Sequence, residues 1–201
     1  MEILLLLAIA WIGLHLVRRR EQQRRIVLLG NALGHYQIER LMENLTEGYL
    51  RWLGEAEPER RAQIWAMLQG TERSLADQFA RFANDFARLD APLAQTSKLP
   101  LTPPLAAQWL PAQQLFDARR LFALHARGIE ACASNTGQLP DKARAYRMTA
   151  ELYLMQHSCH WFCRSKTVAS ARLLARHRTP YQQVLASVSE ATRRDYRALV
   201  G

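Results

Sequence analysis

After Met1 and Glu2 the chain runs apolar from Ile3 to Val17. It then meets Arg18, Arg19 and Arg20, with Arg24 and Arg25 close behind. That junction sets where the rest of the chain works. About 17 residues at about 1.5 Å each reach about 25 Å, just enough for a thin hydrocarbon core. Five arginines face one acid, Glu21, so the positive-inside rule puts the following residues in the cytoplasm and the N-terminus outside. The expectation is a transmembrane anchor at 1–17, a basic juxtamembrane segment at 18–25 and a domain at 26–201. Arg18, Arg19, Arg20, Arg24 and Arg25 are the expected membrane-interface residues.

Two other readings compete for the same run. A cleaved secretory signal carries positive charge ahead of its apolar stretch, whereas the early side-chain charge here is Glu2. Ala8-Ile9-Ala10 has the form of a cleavage motif but follows about five apolar residues, too few for such a leader. The third reading is a peripheral helix lying in the interface. Trp11 sits nearer the middle of the run than an aromatic belt would place it. Glu2 also rules out myristoylation at residue 2.

The remaining residues suffice for one domain with a real core. Alanine, leucine, arginine and glutamine dominate, all strong helix formers, so the fold class is all-α. Of the formal +9 charge, the cluster from Arg18 to Arg25 supplies +4, which leaves a moderately basic +5 elsewhere. Lys98, Lys142 and Lys166 are the only lysines, and a GC-rich bacterial coding bias accounts for the arginine excess. That points to a bacterial inner membrane. Cys132, Cys159 and Cys163 form no disulfide framework and suit a reducing compartment.

Helical periodicity continues past Arg25 through Ile26, Leu29, Leu33, Ile38, Leu41, Leu45 and Trp52, so the first helix is expected to run unbroken to Gly54. Gly30-x-x-x-Gly34 lies beyond the arginines, where it reads as close helix packing. Pro58 opens a second helix to about Leu89, with a seam of Trp65, Leu68, Leu75, Phe79, Phe82, Phe86 and Leu89 broken only at Glu72. That seam fits a bundle core better than a coiled coil between subunits. Residues 91–104 hold four prolines and form a linker: a crossover, a surface loop or a docking segment. A third helix is expected from Pro111 to Asn135 and a fourth from Pro140 to His177. Thr179-Pro180 then starts a last helix to Leu199. The sum is an anchor continuing into a cytoplasmic bundle of four or five helices.

Three constellations could carry chemistry. His157, Cys159, His160 and Cys163 offer soft metal ligands within seven residues, but at about 100° per residue His157 and Cys159 diverge by about 160°. A metal would need further ligands, such as His125 and Cys132, and buried packing is the simpler reading. Glu39, Glu43 and Glu47 form an acidic stripe one turn after His35, without the Glu-x-x-His pairs of a di-iron bundle. Arg164, Lys166, Arg172, Arg176 and Arg178 form a basic face that could pair with that stripe, meet anionic lipid or meet a protein partner. Nucleic acid is disfavoured because no aromatic residues interleave with the basic stripe.

No phosphate-cradling glycine loop, nucleophile elbow or His-Glu-x-x-His motif is present, and no cofactor is indicated. The expected function is a membrane-anchored protein-interaction module: a scaffold, assembly factor or regulator without a catalytic site. Its expected partners are the bilayer and a protein, and homo-oligomerisation stays open. The alternatives are a metal- or redox-active membrane protein using Cys159, His160 and Cys163, and a lipid-surface-binding regulator.

Overall fold

The computed structural model describes residues 1–201 as ten helices and one small β-ribbon. Helix α1 (Glu2–Leu33) divides into two unlike parts. Its first half is apolar on every side and stands free: Ile3 to Val17 includes eleven large apolar side chains that remain 39–73% exposed. Its second half is packed, with Leu29 buried and Ile26, Leu28 and Leu33 lying against the main core.

The anchor expectation needs correction in one respect. No helix is long and apolar enough to cross a membrane. The run from Ile3 to Val17 reaches only about 22 Å before the arginines, against a hydrocarbon core of about 30 Å.

Helix α1 also ends earlier than its periodicity implies. Gly34 N–H closes the last turn on Gly30 O, Tyr36 Oη donates to Asp85 at 2.6 Å, and Gln37 N–H donates to Gln78 Oε1 at 2.7 Å. These bonds turn the chain at residues 34–37 before α2 (Ile38–Gly54) begins. Helix α3 (Pro58–Phe86) returns antiparallel to α2, with Trp52 on Trp65, Tyr49 on Glu72 and Tyr36 on Phe82. Gly48 permits the closest approach, because a Cβ there would collide with Leu68.

The α3 seam lies inside the bundle, as its aromatic content implied. Phe79, Phe82 and Phe86 are fully buried, and Phe82 and Phe86 meet Phe122 edge-on at 5.3 and 4.8 Å. Glu72, the interruption in that seam, is also fully buried. It accepts from Tyr49 Oη at 2.5 Å and forms an ion pair with Arg144, whose Nη2 also donates to Ala133 O at 2.8 Å. Burial pushes the Glu72 carboxyl up, while Tyr49 and Arg144 favour its charged form and oppose that shift.

The proline-rich linker is threaded into the fold. A single turn, α4 (Ala91–Ala94), leads into β1 (Gln95–Ser97), and a further turn, α5 (Ala106–Trp109), leads towards β2 (Leu115–Asp117). The strands pair antiparallel, Thr96 opposite Phe116. Thr96 and Ser97 are fully buried, and Trp161 Nε1 donates to Ser97 O at 3.0 Å. The fold is all-helical as expected apart from this two-stranded ribbon, which shortens the third helix, α6 (Ala118–Ala133). Asp117 caps it by accepting from Arg119 N–H at 2.9 Å.

The expected fourth helix is a hairpin of two. Helix α7 (Asp141–Cys163) stops at Arg164, and Ser165 caps α8 (Lys166–His177) by accepting from Val168 N–H. His160 meets Arg172, His157 meets Ser170 and Tyr153 stacks on His177, so α8 folds back antiparallel onto α7. The expected last helix likewise divides into α9 (Tyr181–Ser187) and α10 (Glu190–Val200), with Ser189 capping the second. A second core of Leu121, Leu154, Trp161, Leu173, Val184 and Tyr196 lies between α6–α10 and the ribbon. Gly128 lets α6 approach this region: a Cβ there would lie 2.6 Å from Glu151 Oε2 and 2.7 Å from Thr192 Oγ1.

Truncating one member of the buried ion pair should cost far more than removing both. Glu72→Leu strands Arg144 and should lose about 3–5 kcal/mol of unfolding free energy. Adding Arg144→Met should restore most of it. Chemical denaturation of the two variants checks this.

Candidate functional site

The most concentrated charge without compensation lies where the free half of α1 enters the domain. His15, Arg18, Arg19 and Gln22 are spaced 3-1-3 and share one face of α1. That face meets Arg164, at the break between α7 and α8, together with Val168 and Arg172 one turn apart on α8. These seven residues line a cleft of about 450 Å³. It holds four arginines and no carboxylate.

The cleft is ordered by neutral partners. Arg164 Nη1 donates to Gln22 Oε1 at 2.7 Å, bridging α7–α8 to α1. Arg172 Nη1 donates to His160 Nδ1 at 3.2 Å. Burial, then the charges of Arg172 and Arg176, push His160 down to about 4. The ring is therefore neutral at pH 7 and its Nδ1 lone pair is free to accept. Arg18 Nε and Arg164 Nε are buried without any acceptor. A buried charged donor left unpartnered is costly, and an anion in the cleft would relieve it.

The other arginines that follow Val17 go elsewhere. Arg20 and Arg24 border a groove of about 970 Å³ between α1 and the end of α3, floored by Val27, Leu28, Phe86 and Leu89 and edged by Asp85 and Arg88. Arg25 turns inward: its guanidinium donates to Glu21, Gln95 O and Phe162 O at 3.0–3.3 Å, so it is a structural clamp rather than part of the expected interface. Beside the same foot, Leu105 N–H donates to Glu21 Oε2 at 2.8 Å and Thr167 N–H to Pro100 O at 3.0 Å. These bonds hold a lip whose Leu101 and Trp109 are each 59% exposed.

The expected basic face is not one surface. Arg164 and Arg172 enter the cleft, whereas Lys166 lies over the Trp161 and Tyr181 rings at 5.0 and 5.6 Å. Arg176 and Arg178 are exposed, and Arg178 ends α8 in a left-handed conformation with φ 54°. Pairing with the acidic stripe does not occur: Glu39, Glu43 and Glu47 are exposed and none takes part in an ion pair.

The cysteine–histidine cluster is dispersed around α7. His157 stacks on Tyr181 at 4.5 Å, and its Nε2 lies 3.0 Å from Ser170 Oγ. Cys159 faces Met155 Sδ at 3.8 Å, His160 faces Arg172, and Cys163 lies against Arg25 O. No three His, Cys, Asp or Glu side chains gather where they could hold a metal ion. Burial raises all three thiols, Cys163 to about 11 and Cys132 to about 12, which suppresses the thiolate needed for redox chemistry.

His125 Nε2 and Ser158 Oγ lie 2.8 Å apart, a pairing that the sequence did not reveal. With the Ser158 hydroxyl donating to Leu154 O at 3.0 Å, the Nε2–H tautomer of His125 donates to the serine oxygen. In that arrangement the ring does not act as a base towards the hydroxyl, and both residues are fully buried, out of reach of a substrate.

No family model, curated protein or solved structure matches the chain.

Two solution tests follow from the buried groups. His125 and His157 are pushed down to about 3 and His160 to about 4 by burial, so below about pH 6.5 the unfolded chain binds protons that the fold refuses. The fold is unaffected by these rings above pH 6.5 and loses stability through them as pH falls towards 3. Unfolding at pH 5 should take up about three protons through these rings, read from the pH dependence of the unfolding free energy. A His157→Phe variant should take up one fewer. In a thiol-reagent assay at pH 7, Cys132, Cys159 and Cys163 should react only as the fold opens.

Proposed function

We propose that this chain is a membrane-attached helical-bundle module that engages a protein partner, with Ile3 to Val17 embedded in lipid and the domain held at the surface. One observation carries this reading. An apolar helix without a polar face extends from the domain and is covered by nothing in the fold. Removing eleven large apolar side chains from water is worth roughly 1.5–3 kcal/mol each at full burial, more than the whole stability of many domains. Lipid supplies that cover with no requirement for a matching surface.

The short apolar run is compatible with this arrangement. Arg18 and Arg19 carry long side chains that reach headgroups from below, and a bilayer thins locally around a short helix. The charge bias at Arg18 to Arg24 favours a domain on the cytoplasmic face of a bacterial inner membrane, with Ile3 to Val17 embedded from that side. The lip of Leu101, Leu105 and Trp109 favours a second contact with the same surface, which supports the lipid-surface regulator as the alternative. For the protein partner, the α1–α3 groove offers an apolar floor with a charged rim, the usual anatomy of such a surface.

Vesicle flotation with the full chain tests the attachment. The protein should float with phosphatidylcholine vesicles and resist alkaline extraction, and Leu5→Glu/Ile9→Glu/Ile12→Glu should abolish flotation without changing the unfolding midpoint. Unchanged flotation of that variant would overturn the reading. A photo-crosslinker at Val27 should capture one protein in native membranes, and Leu28→Asp should eliminate that product.

A further inference from the structure

We infer that the cleft of His15, Arg18, Arg19, Gln22, Arg164 and Arg172 is a binding site for the phosphate group of one anionic phospholipid. The inference rests on the membrane-attached reading above and gives that attachment a specific ligand.

Three observations converge on phosphate. Four guanidinium groups from two separate parts of the chain line one concavity with no carboxylate among them. Fixed positive charges brought together without counter-charge repel, and the fold keeps them there through Gln22 and a neutral His160. Arg18 Nε and Arg164 Nε, one from each wall, are buried donors with no acceptor. A tetrahedral phosphate between the walls offers several acceptor oxygens, and guanidinium forks match their geometry.

Position selects a lipid over a free anion. His15, the cleft residue nearest the N-terminus, lies one turn from Trp11 and Ile12 on the same face of α1. Trp11 stacks on His15 at 5.7 Å, so the wall continues from charged to apolar without a gap. A phospholipid whose phosphate fills the cleft has its acyl chains running up the exposed face of the rod. Free phosphate would use the arginines and leave that apolar wall uncovered. The lipid is an anionic one, because a zwitterionic headgroup brings its own cation towards four arginines.

The test uses the full chain in neutral detergent micelles, titrated with short-chain phosphatidylglycerol, short-chain phosphatidylcholine, inorganic phosphate and a single-stranded oligonucleotide. Phosphatidylglycerol should saturate at one per chain. Arg164→Gln/Arg172→Gln should weaken it roughly 30-fold, at about 1 kcal/mol per arginine. Arg73→Gln/Arg81→Gln removes the same charge from exposed sites on α3 and should leave binding unchanged. Arg172→Gln alone, at an exposed position, should weaken binding about fivefold and guards against a folding defect in the double variant. Equal losses in the Arg164/Arg172 and Arg73/Arg81 variants would overturn the site in favour of diffuse charge. Equal affinity for phosphatidylcholine, or saturation by phosphate or oligonucleotide in place of lipid, would overturn it as well. Failure of the wild-type chain to float with neutral vesicles would instead defeat the attachment reading, and the two failures are separable.

Discussion

One guanidinium holds the three parts of this structure in register. Arg25 lies on α1, yet it donates to Gln95 O at the start of the ribbon and to Phe162 O near the end of α7, and it sits 5.5 Å over the Phe162 ring. Glu21 completes the arrangement, because it accepts from Arg25 and from Leu105 of the proline-rich segment. Together with the Arg164–Gln22 bond, this knot ties α1 to the end of α7, where Arg18 and Arg164 line one cleft. The cleft depends on a residue that does not line it. Arginine suits the place because its planar fork can serve several fixed carbonyls at once while remaining charged.

The helical content and the core faces were legible because burial leaves a period in the sequence. Trp65 to Phe86 declared a packed face, and the bundle buries it. Breaks were less legible, for a physical reason. When successive helices pack on the same core, both present apolar residues to it, so the period runs on across the turn. That concealed the turns at residues 34–37 and 164–165. The local cues there are modest: Gly34 on one side and the cap Ser165 on the other. Ser189 divides the last helix in the same way. The ribbon was hidden for another reason, since three-residue strands are too short to show alternation.

Polar residues were harder still, because their partners come from distant parts of the chain. Glu72 was visible as a fault in an apolar seam, but its answering charge, Arg144, lies 72 residues away. The arginines after Val17 read as one collar, yet successive residues on a helix point about 100° apart. The fold accordingly sends Arg18 and Arg19 to α8, Arg20 and Arg24 to the α3 groove, and Arg25 inward. The face shared by His15, Arg18, Arg19 and Gln22 was not singled out from the sequence, and the α7–α8 hairpin is what brings Arg164 and Arg172 to meet it.

The apolar half of α1 carries no preferred side, so by itself it is indifferent to rotation about its own axis. The packed half removes that indifference, because no glycine or proline interrupts the helix between Val17 and Leu29. Azimuth and tilt of the apolar segment are therefore inherited from the domain, and any change in its tilt swings the whole bundle through the same angle. At about 1.5 Å per residue the lever from Ile3 to Leu29 is about 40 Å long. A small adjustment at one end becomes a displacement of several ångströms at the other, so the apolar half and the domain turn as one lever.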